Sequence, residues 1–371
     1  MVKDLAKRGK LVDIYHHLEN TKVYLRPSTG TDVYELDVLA SGARFSQTFT
    51  ENTYSEKTLH SQGSLVKNGS IKKANPASFE FSVPLLKETD FDTPVFNMLV
   101  DLNSSNTLET FDLWFIEQSK AFCIESCVFT TGAFEIKAGN ILSIGLSGQG
   151  TKLTSGDNSG VEIIDGSTVT FTNIVNDIST FPVFTASHLQ ARSATRTFLP
   201  INKVLIQKSS SYTTSDGKVI TVANADENLI SSSIELQNNI SWVSYNTVNG
   251  GISTTSRETA EYPTNFTLND RVLAGNAKWA MDTRDSTEAI NNFSNTTANG
   301  GANGHFYENS PWTTAVFSTI SNTDYGITFK ATSGVNITTR VTPGAYYTMD
   351  MDWRLANNSN AISSLLTYTT E

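Results

Sequence analysis

Strict alternation of apolar and polar residues is the feature that most limits what this chain can become. "KAGNILSIGLSGQG" (137–150) sets Leu142, Ile144 and Leu146 on one side and Ser143, Gly145 and Ser147 on the other. A period of two marks a strand with one face buried and one face wet. The pattern recurs in "KVYLRP", "SFEFSVPLL", "TFDLWFIE", "STVTFTNIV", "SSIELQNNISW", "GITFKA" and "YYTMDMDWRL". Each stretch is short, rich in β-branched or aromatic residues, and bounded by Gly, Pro, Asn, Asp or Ser. The expected fold class is mainly β, built from antiparallel sandwiches or barrels.

Two stretches break the alternation in a similar way. "DTPVFNMLVDL" offers Asp92 or Thr93 as N-cap, Pro94 in the first turn, and Phe96, Leu99 and Val100 on one face. "NSPWTTAVFSTI" offers Asn309 or Ser310, then Pro311, Trp312, Val316 and Phe317. A cap followed by proline is a helix start, because proline lacks an N–H that would be unsatisfied there anyway. Both stretches are therefore expected to form short flanking helices.

The chain also reads as two copies of one domain. "NTKVYL" (20–25) matches "NKVLIQ" (202–207), and Asp92-Thr93-Pro94 matches Asn309-Ser310-Pro311. After each capped proline comes an alternating strand, with Phe111, Leu113 and Phe115 set against Tyr325, Ile327 and Phe329. "TPGAYYTMDMDWR" (342–354) repeats the opening stretch. Counted from Gly344 as from Gly139, Tyr347, Met349 and Met351 take one face and Thr348, Asp350 and Asp352 the other. The spacings differ, and the extra length of the second half fits the Gly/Asn/Ser/Thr-rich stretch 282–310, since long loops cost little stability. The expected division is an N-terminal arm (1–19), a first domain (20–155), a linker with a short β segment (156–197) and a second domain (198–371). The segment Val161 to Phe184 is expected to pack on one of the domains.

Composition narrows the function. The chain of 371 residues has a net charge of −10 with only 17% charged residues, so its polar faces are largely Ser, Thr and Asn. That balance argues against a general nucleic-acid binder, which needs a basic footprint. No apolar run approaches the roughly 20 residues of a membrane-spanning helix, and "MVKDLAKRGKLVDIYHH" lacks the apolar core of a secretory signal. Cys123 and Cys127, the two cysteines, share one face if their segment is extended. They then stand roughly 13 Å apart, too far for a disulfide, and are expected as buried free thiols.

Catalytic constellations are missing from the sequence. His16, His17, His60, His188 and His305 are dispersed, and no nucleophile elbow, phosphate loop or dinucleotide fingerprint occurs. Asp350 and Asp352 project from one side of a strand and read as its wet face, as do Glu109, Asp112 and Glu117. The expectation is a protein that is not an enzyme and carries no cofactor or metal.

An acidic, β-rich chain with two copies of such a domain resembles the major tail tube proteins of tailed bacteriophages, in a double-length form with two tandem tube domains. The residues carrying the resemblance are the hairpins opening at Lys22 and Lys203, "ARFSQTFTENTYSEKTLH", the proline-capped helix and the glycine-led closing strand. The resemblance implies two tandem β-sandwich or barrel domains, each with a flanking short helix. It implies a virion protein of the tail, assembled in the host cytoplasm as stacked trimeric, pseudo-hexameric rings. Its partners would be itself, the tape measure, terminator and tail-tip proteins, with DNA passing unbound and no membrane contact. The long loop from Thr50 to Ser78 and its counterpart from Asn246 to Pro263 would reach the next ring. One polar strand face would line a neutral-to-acidic lumen, with Ser143, Gly145, Ser147, Thr348, Asp350 and Asp352 as candidates. The alternatives are a receptor-binding or baseplate/tail-tip component, for which Trp242, Tyr245, Phe306 and Tyr307 suit carbohydrate contact, and a two-carboxylate glycoside hydrolase.

Overall fold

The structure, a computed structural model, describes residues 21–39, 42–57, 65–88, 92–116, 120–137, 139–157, 172–173, 184, 186–191, 195–207, 229–243, 262–263, 265–280, 305–356 and 362–370. Strands β1 (Lys22–Pro27), β2 (Tyr34–Leu36), β3 (Arg44–Ser46), β4 (Phe49–Lys57), β5 (Leu65–Ala74) and β6 (Ala77–Pro84) precede helix α1 (Asp92–Val100). Then come β7 (Phe111–Ile116), β8 (Lys120–Lys137), β9 (Ser143–Gly150), β10 (Lys152–Asp157) and β11 (Thr172–Asn173). The second half holds β12 (Lys203–Gln207), β13 (Leu229–Val243), β14 (Asn265–Ala280), β15 (His305–Ile320), β16 (Thr323–Thr342) and β17 (Thr348–Leu355). Helix α2 (Ile362–Leu365) and β18 (Leu366–Thr370) close the chain. The mainly β class holds.

Strand β8 is the pivot of the first half. Its opening half carries β7 on one edge and β10 on the other, while its closing half carries β13 and β9. β9 and β10 share one edge, because Thr151 between them donates its N–H to the Glu125 carbonyl at 2.9 Å. The two halves meet at a bulge where Ser126 takes a φ of 48°. The Asp112 carboxylate holds that bulge: it accepts the Ser126 N–H at 3.0 Å and Arg26 Nη2 at 2.6 Å.

The bulge corrects one expectation. Cys123 and Cys127 do not share a face: Cys123 packs with Tyr24, Trp114 and Phe184, whereas Cys127 lies in the main core with Phe111 and Phe129. An extra residue in a strand reverses the alternation beyond it. Both thiols are free and buried, and burial pushes both well above their ordinary range. Phe184 seals the outer cluster on the first half, against Tyr24 and Trp114. The rest of 161–184, apart from Thr172 and Asn173, lies outside the described residues.

The two halves have the same strand order. In the first, β1–β7–β8–β9–β6–β3 are successive neighbours, with β10 added on β8. In the second, β12–β15–β16–β17–β14–β13 are successive neighbours, with β18 added on β16. Packing repeats as well, with one exchange. Phe79 of β6 lies opposite Gly148 of β9, and a Cβ on Gly148 would come within 2.2 Å of the Phe79 ring. In the second half the glycine and the aromatic trade strands: Gly275 of β14 lies opposite Trp353 of β17, and a Cβ there would meet the indole at 2.6 Å. Each ring fills the space its partner glycine leaves.

A second correction concerns the proline-led helices. Asp92–Val100 is helical, with Val95, Phe96, Met98, Leu99 and Val100 buried. Asn309 to Phe317 is strand, within β15. Thr313, Thr314, Val316, Thr319 and Ile320 favour an extended backbone, and Pro311 falls where the β15–β16 register shifts, the place a sheet tolerates a missing N–H. It follows that Tyr325, Ile327 and Phe329 belong to β16, the counterpart of β8, and not to a counterpart of β7. Among the described residues the second half instead has α2, a single turn, which packs near α1.

The segment from Thr50 to Ser78 is not a loop. β4 and β5 pair as a two-stranded ribbon that prolongs β3 and β6, about 30 Å long at ~3.3 Å per residue. Nearly all of its expected counterpart, 246–263, lies outside the described residues, as do the 1–19 arm and 282–304. Residues 195–201, placed by the sequence at the junction of linker and second domain, are bonded to the first half. Lys87 N–H donates to Thr197 O at 3.0 Å, Leu142 N–H to Leu199 O at 2.7 Å, and Ile201 N–H to Asn140 O at 3.0 Å. The Glu88 carboxylate accepts both the N–H and the hydroxyl of Thr197, at 2.8 and 2.9 Å.

Two outcomes follow from this packing. Trp353 is 2% exposed and stacks on Phe329 at 4.6 Å, so Trp353→Ala should lower stability by about 3–5 kcal/mol in urea denaturation. The hydrogen bonds from Thr197 hold Glu88 below its ordinary 4.5. A lowered carboxylate stabilises the fold above 4.5, and that contribution is lost as pH falls through the lower folded value. Glu88→Gln should therefore show a shallower loss of stability than the parent in a titration from neutral pH down to about 3.

Candidate assembly surface

The pairing of β8 with β13 makes one sheet of the two halves: β3–β6–β9–β8–β13–β14–β17–β16. Residues directly opposite across paired strands share a face. One row runs Lys137, Ser231, Lys278, Asp350, Arg340. The next runs Glu135, Ser233, Asn276, Asp352, Thr338. A third runs Ser82, Gly145, Ala133, Glu235, Ala274, Arg354, Asn336. Arg44, Glu80, Ser147, Thr131 and Gln237 make a fourth. The opposite face carries Phe134, Ile144, Leu146, Ile234, Leu236, Ala277, Met349, Met351 and Trp353, all buried in the core.

Five of the six residues singled out in the sequence thus lie on the polar face of one sheet: Ser143, Gly145 and Ser147 on β9, Asp350 and Asp352 on β17. Thr348 begins β17 at only 9% exposure and is enclosed rather than wet. The aspartates do not form an acidic sector. Asp350 has Lys278 at 3.4 Å and Arg340 at 3.8 Å, and Asp352 has Arg340 at 3.9 Å. In the first half Lys137 pairs with Glu135 at 2.9 Å and Arg44 with Glu80 through Nε at 2.9 Å. Cations and carboxylates alternate over this face, so its local charge balances although the whole chain is acidic. Exposed pairs of this kind add little stability. Their consequence is a surface without a strong field of either sign.

The joint between the halves is held by buried polar groups. α1 lies over β8, and Gly132 permits the approach: a Cβ there would sit 2.1 Å from the Leu99 side chain. A helix end leaves carbonyls without partners, and these are met from the second half. Arg271 of β14 donates Nη2 to the carbonyls of Leu99 at 3.2 Å and Val100 at 2.7 Å. Asn238 of β13 donates Nδ2 to Leu99 O at 3.0 Å and Phe129 O at 3.1 Å, and accepts Arg271 Nε at 2.7 Å. Burial lowers the Arg271 guanidinium to about 10, with Asp101 acting against that shift, so it stays charged at neutral pH. Partial desolvation raises the Asp101 carboxyl, against the pull of Arg271 and a hydrogen bond with Ser363.

Neither Asn238 nor Arg271 was singled out from the sequence, yet a signal exists. Asn238 keeps the phase of Ile234 and Leu236, and Arg271 that of Leu273, so each is a polar residue in an inward register. A polar side chain at such a position needs a buried partner. Among the described residues, no group of three His, Cys, Asp or Glu is placed to hold a metal ion, and no helix is long and apolar enough to cross a membrane.

No family model and no curated protein matches the chain. Among solved structures, a chain of the anti-feeding prophage baseplate, determined by cryo-electron microscopy with six-fold symmetry, aligns over 38% of this chain and 94% of its own length. Its sequence identity is 6% and its TM-score 0.28, values that establish neither a shared fold nor a shared role.

Removing Arg271 takes a donor from the Leu99 and Val100 carbonyls and from Asn238 Oδ1. Arg271→Ala should cost about 3 kcal/mol in urea denaturation. Arg340→Ala, which removes only exposed pairs, should cost under about 1 kcal/mol.

Proposed function

We propose that this chain is a structural subunit of a phage tail tube, formed of two tandem tube domains, which assembles as trimeric rings. One observation carries the reading: two repeats of identical strand order are joined edge to edge in a single sheet by β8 and β13. A joint that links repeat to repeat within a chain can be used again from chain to chain. Three chains then give a pseudo-hexameric ring whose sheet closes on itself and leaves no free edge.

In such a ring the apolar face of the sheet is turned to the core and the helices, and the polar face lines the channel. Ser143, Gly145, Ser147, Asp350 and Asp352 stand on that face, with Thr348 at its rim. Paired charges and small hydroxyls suit passage of DNA, since a wall rich in unpaired lysine would trap phosphates. The β4–β5 ribbon projects from the sheet and is positioned to contact the next ring. In this reading the chain is not an enzyme and holds no cofactor. Its partners are other copies of itself and the tape measure, terminator and tail-tip proteins, and it resides in the virion after assembly in the host cytoplasm. A tube-like ring at the tail tip or baseplate uses the same chemistry, and copy number per particle separates the two.

Electron microscopy and sedimentation of the concentrated, purified protein test the reading. Three-chain rings and stacks of rings are the expected result. A chain that stays monomeric at every concentration, or forms thin fibres, contradicts it.

A further inference from the structure

The two repeats differ at one edge. β8 has β9 and β10 along one side, and on its other side β7 pairs with 121–127 and β13 with 131–137. β16 has β17 and β18 along one side. On its other side the later part of β15 pairs with 323–331, and residues 305–310 pair with 335–339. Residues 305–310 therefore stand on β16 where β13 stands on β8.

This short stretch is only loosely continuous with the rest of its strand. The register shifts between Tyr307 and Ser310 and again between Ser310 and Trp312. Pro311, at the second shift, has no N–H to give the ladder. The first repeat has nothing comparable: β7 starts at Phe111, and the chain before it turns away, with Asn103 N–H bonded to Thr107 O at 2.8 Å.

At the far end of the sheet the counterpart of β13 is β3, because each is the outer neighbour of its repeat, on β14 and on β6. β13 uses its second edge to bind β8. Among the described residues β3 pairs with β6 alone, so none of them covers its equivalent edge.

We propose that residues 305–310 are a removable edge cover, and that β3 of a second copy of this chain displaces them from β16. The inference rests on the ring-forming reading above and specifies how one chain meets the next. A covered β16 edge keeps the free chain from pairing at random, since an open edge strand is a template for aggregation. Assembly exchanges a bulged, proline-interrupted pairing for the regular one already present between β8 and β13.

The internal joint also sets the register. Superposing the Phe79–Gly148 pair on the Gly275–Trp353 pair equates Phe45 with Ile234 and Ala133 with Arg340. Glu235 lies opposite Ala133 within the chain. Ser46 of one copy should therefore lie opposite Arg340 of its neighbour. Directly opposed strand residues have Cα atoms about 4.5–5.5 Å apart, within reach of a disulfide.

Two cysteine pairs test this, against native thiols that are buried and poorly reactive. Ser46→Cys with Arg340→Cys should give a ladder of covalent oligomers on oxidation, with neither single change doing so. His305→Cys with Thr339→Cys, which are Cα partners in the free chain, should fasten the cover. That oxidised chain should lose ring formation and regain it on adding reductant, so recovery excludes misfolding as the cause. Rings that form without the Ser46–Arg340 cross-link, or from the fastened chain, overturn the edge exchange and leave the tube reading standing. A parent chain that never self-associates overturns both.

Discussion

The closing half of β8 has to satisfy neighbours on both edges, and those neighbours come from different repeats. β9 follows it in the chain, whereas β13 arrives from far along the sequence. Between its two sets of neighbours β8 is interrupted by the Ser126 bulge, which Asp112 and Arg26 hold. β7 ends its pairing at Phe111, opposite Cys127, and the same edge of β8 receives β13 from Thr131 on. The polar rows and the continuity of the long sheet follow from the β8–β13 pairing.

Backbone pairing alone leaves α1 with exposed carbonyls at the place where the two repeats meet. Arg271 and Asn238 close that gap, and they do so across the repeat boundary. Arg271 uses Nε and Nη2 at this joint while Nη1 stays buried without a partner, so the clamp gains direction at some cost in desolvation. The interface between repeats is thus built from regular strand pairing on one side and a committed polar clamp on the other. Among the described residues the outer edges have no such clamp: β3 pairs with β6 alone and β16 carries the bulged 305–310 stretch.

Alternation made the strands legible, and with them the inward and outward faces of β6, β9 and β17. The glycine-led closing strands, β9 and β17, occupy equivalent places in the strand order of the two halves, whereas the proline anchor misled. Asn309-Ser310-Pro311 has the local chemistry of a helix start, but the Thr/Val-rich run after it pairs along β16, and tertiary pairing outweighs a cap of about 1 kcal/mol. The bulge in β8 was not legible, because one residue of positive φ leaves no compositional trace when that residue is serine. The charge of the polar face was misread for a related reason. Asp350 and Asp352 are local in sequence, whereas Lys278 and Arg340 reach them only through strand pairing.

A sheet that spans both halves requires the β8–β13 joint to be as firm as the pairings inside each half. Native-state amide exchange on the dilute, unassembled chain measures this most directly. The hydrogen-bonded amides of 131–137 and 231–237 should exchange as slowly as those shared by β13 and β14, and Arg271→Ala should speed them selectively. Rapid exchange across 131–137 and 231–237, with protection kept elsewhere in the sheet, would contradict a single sheet spanning both repeats.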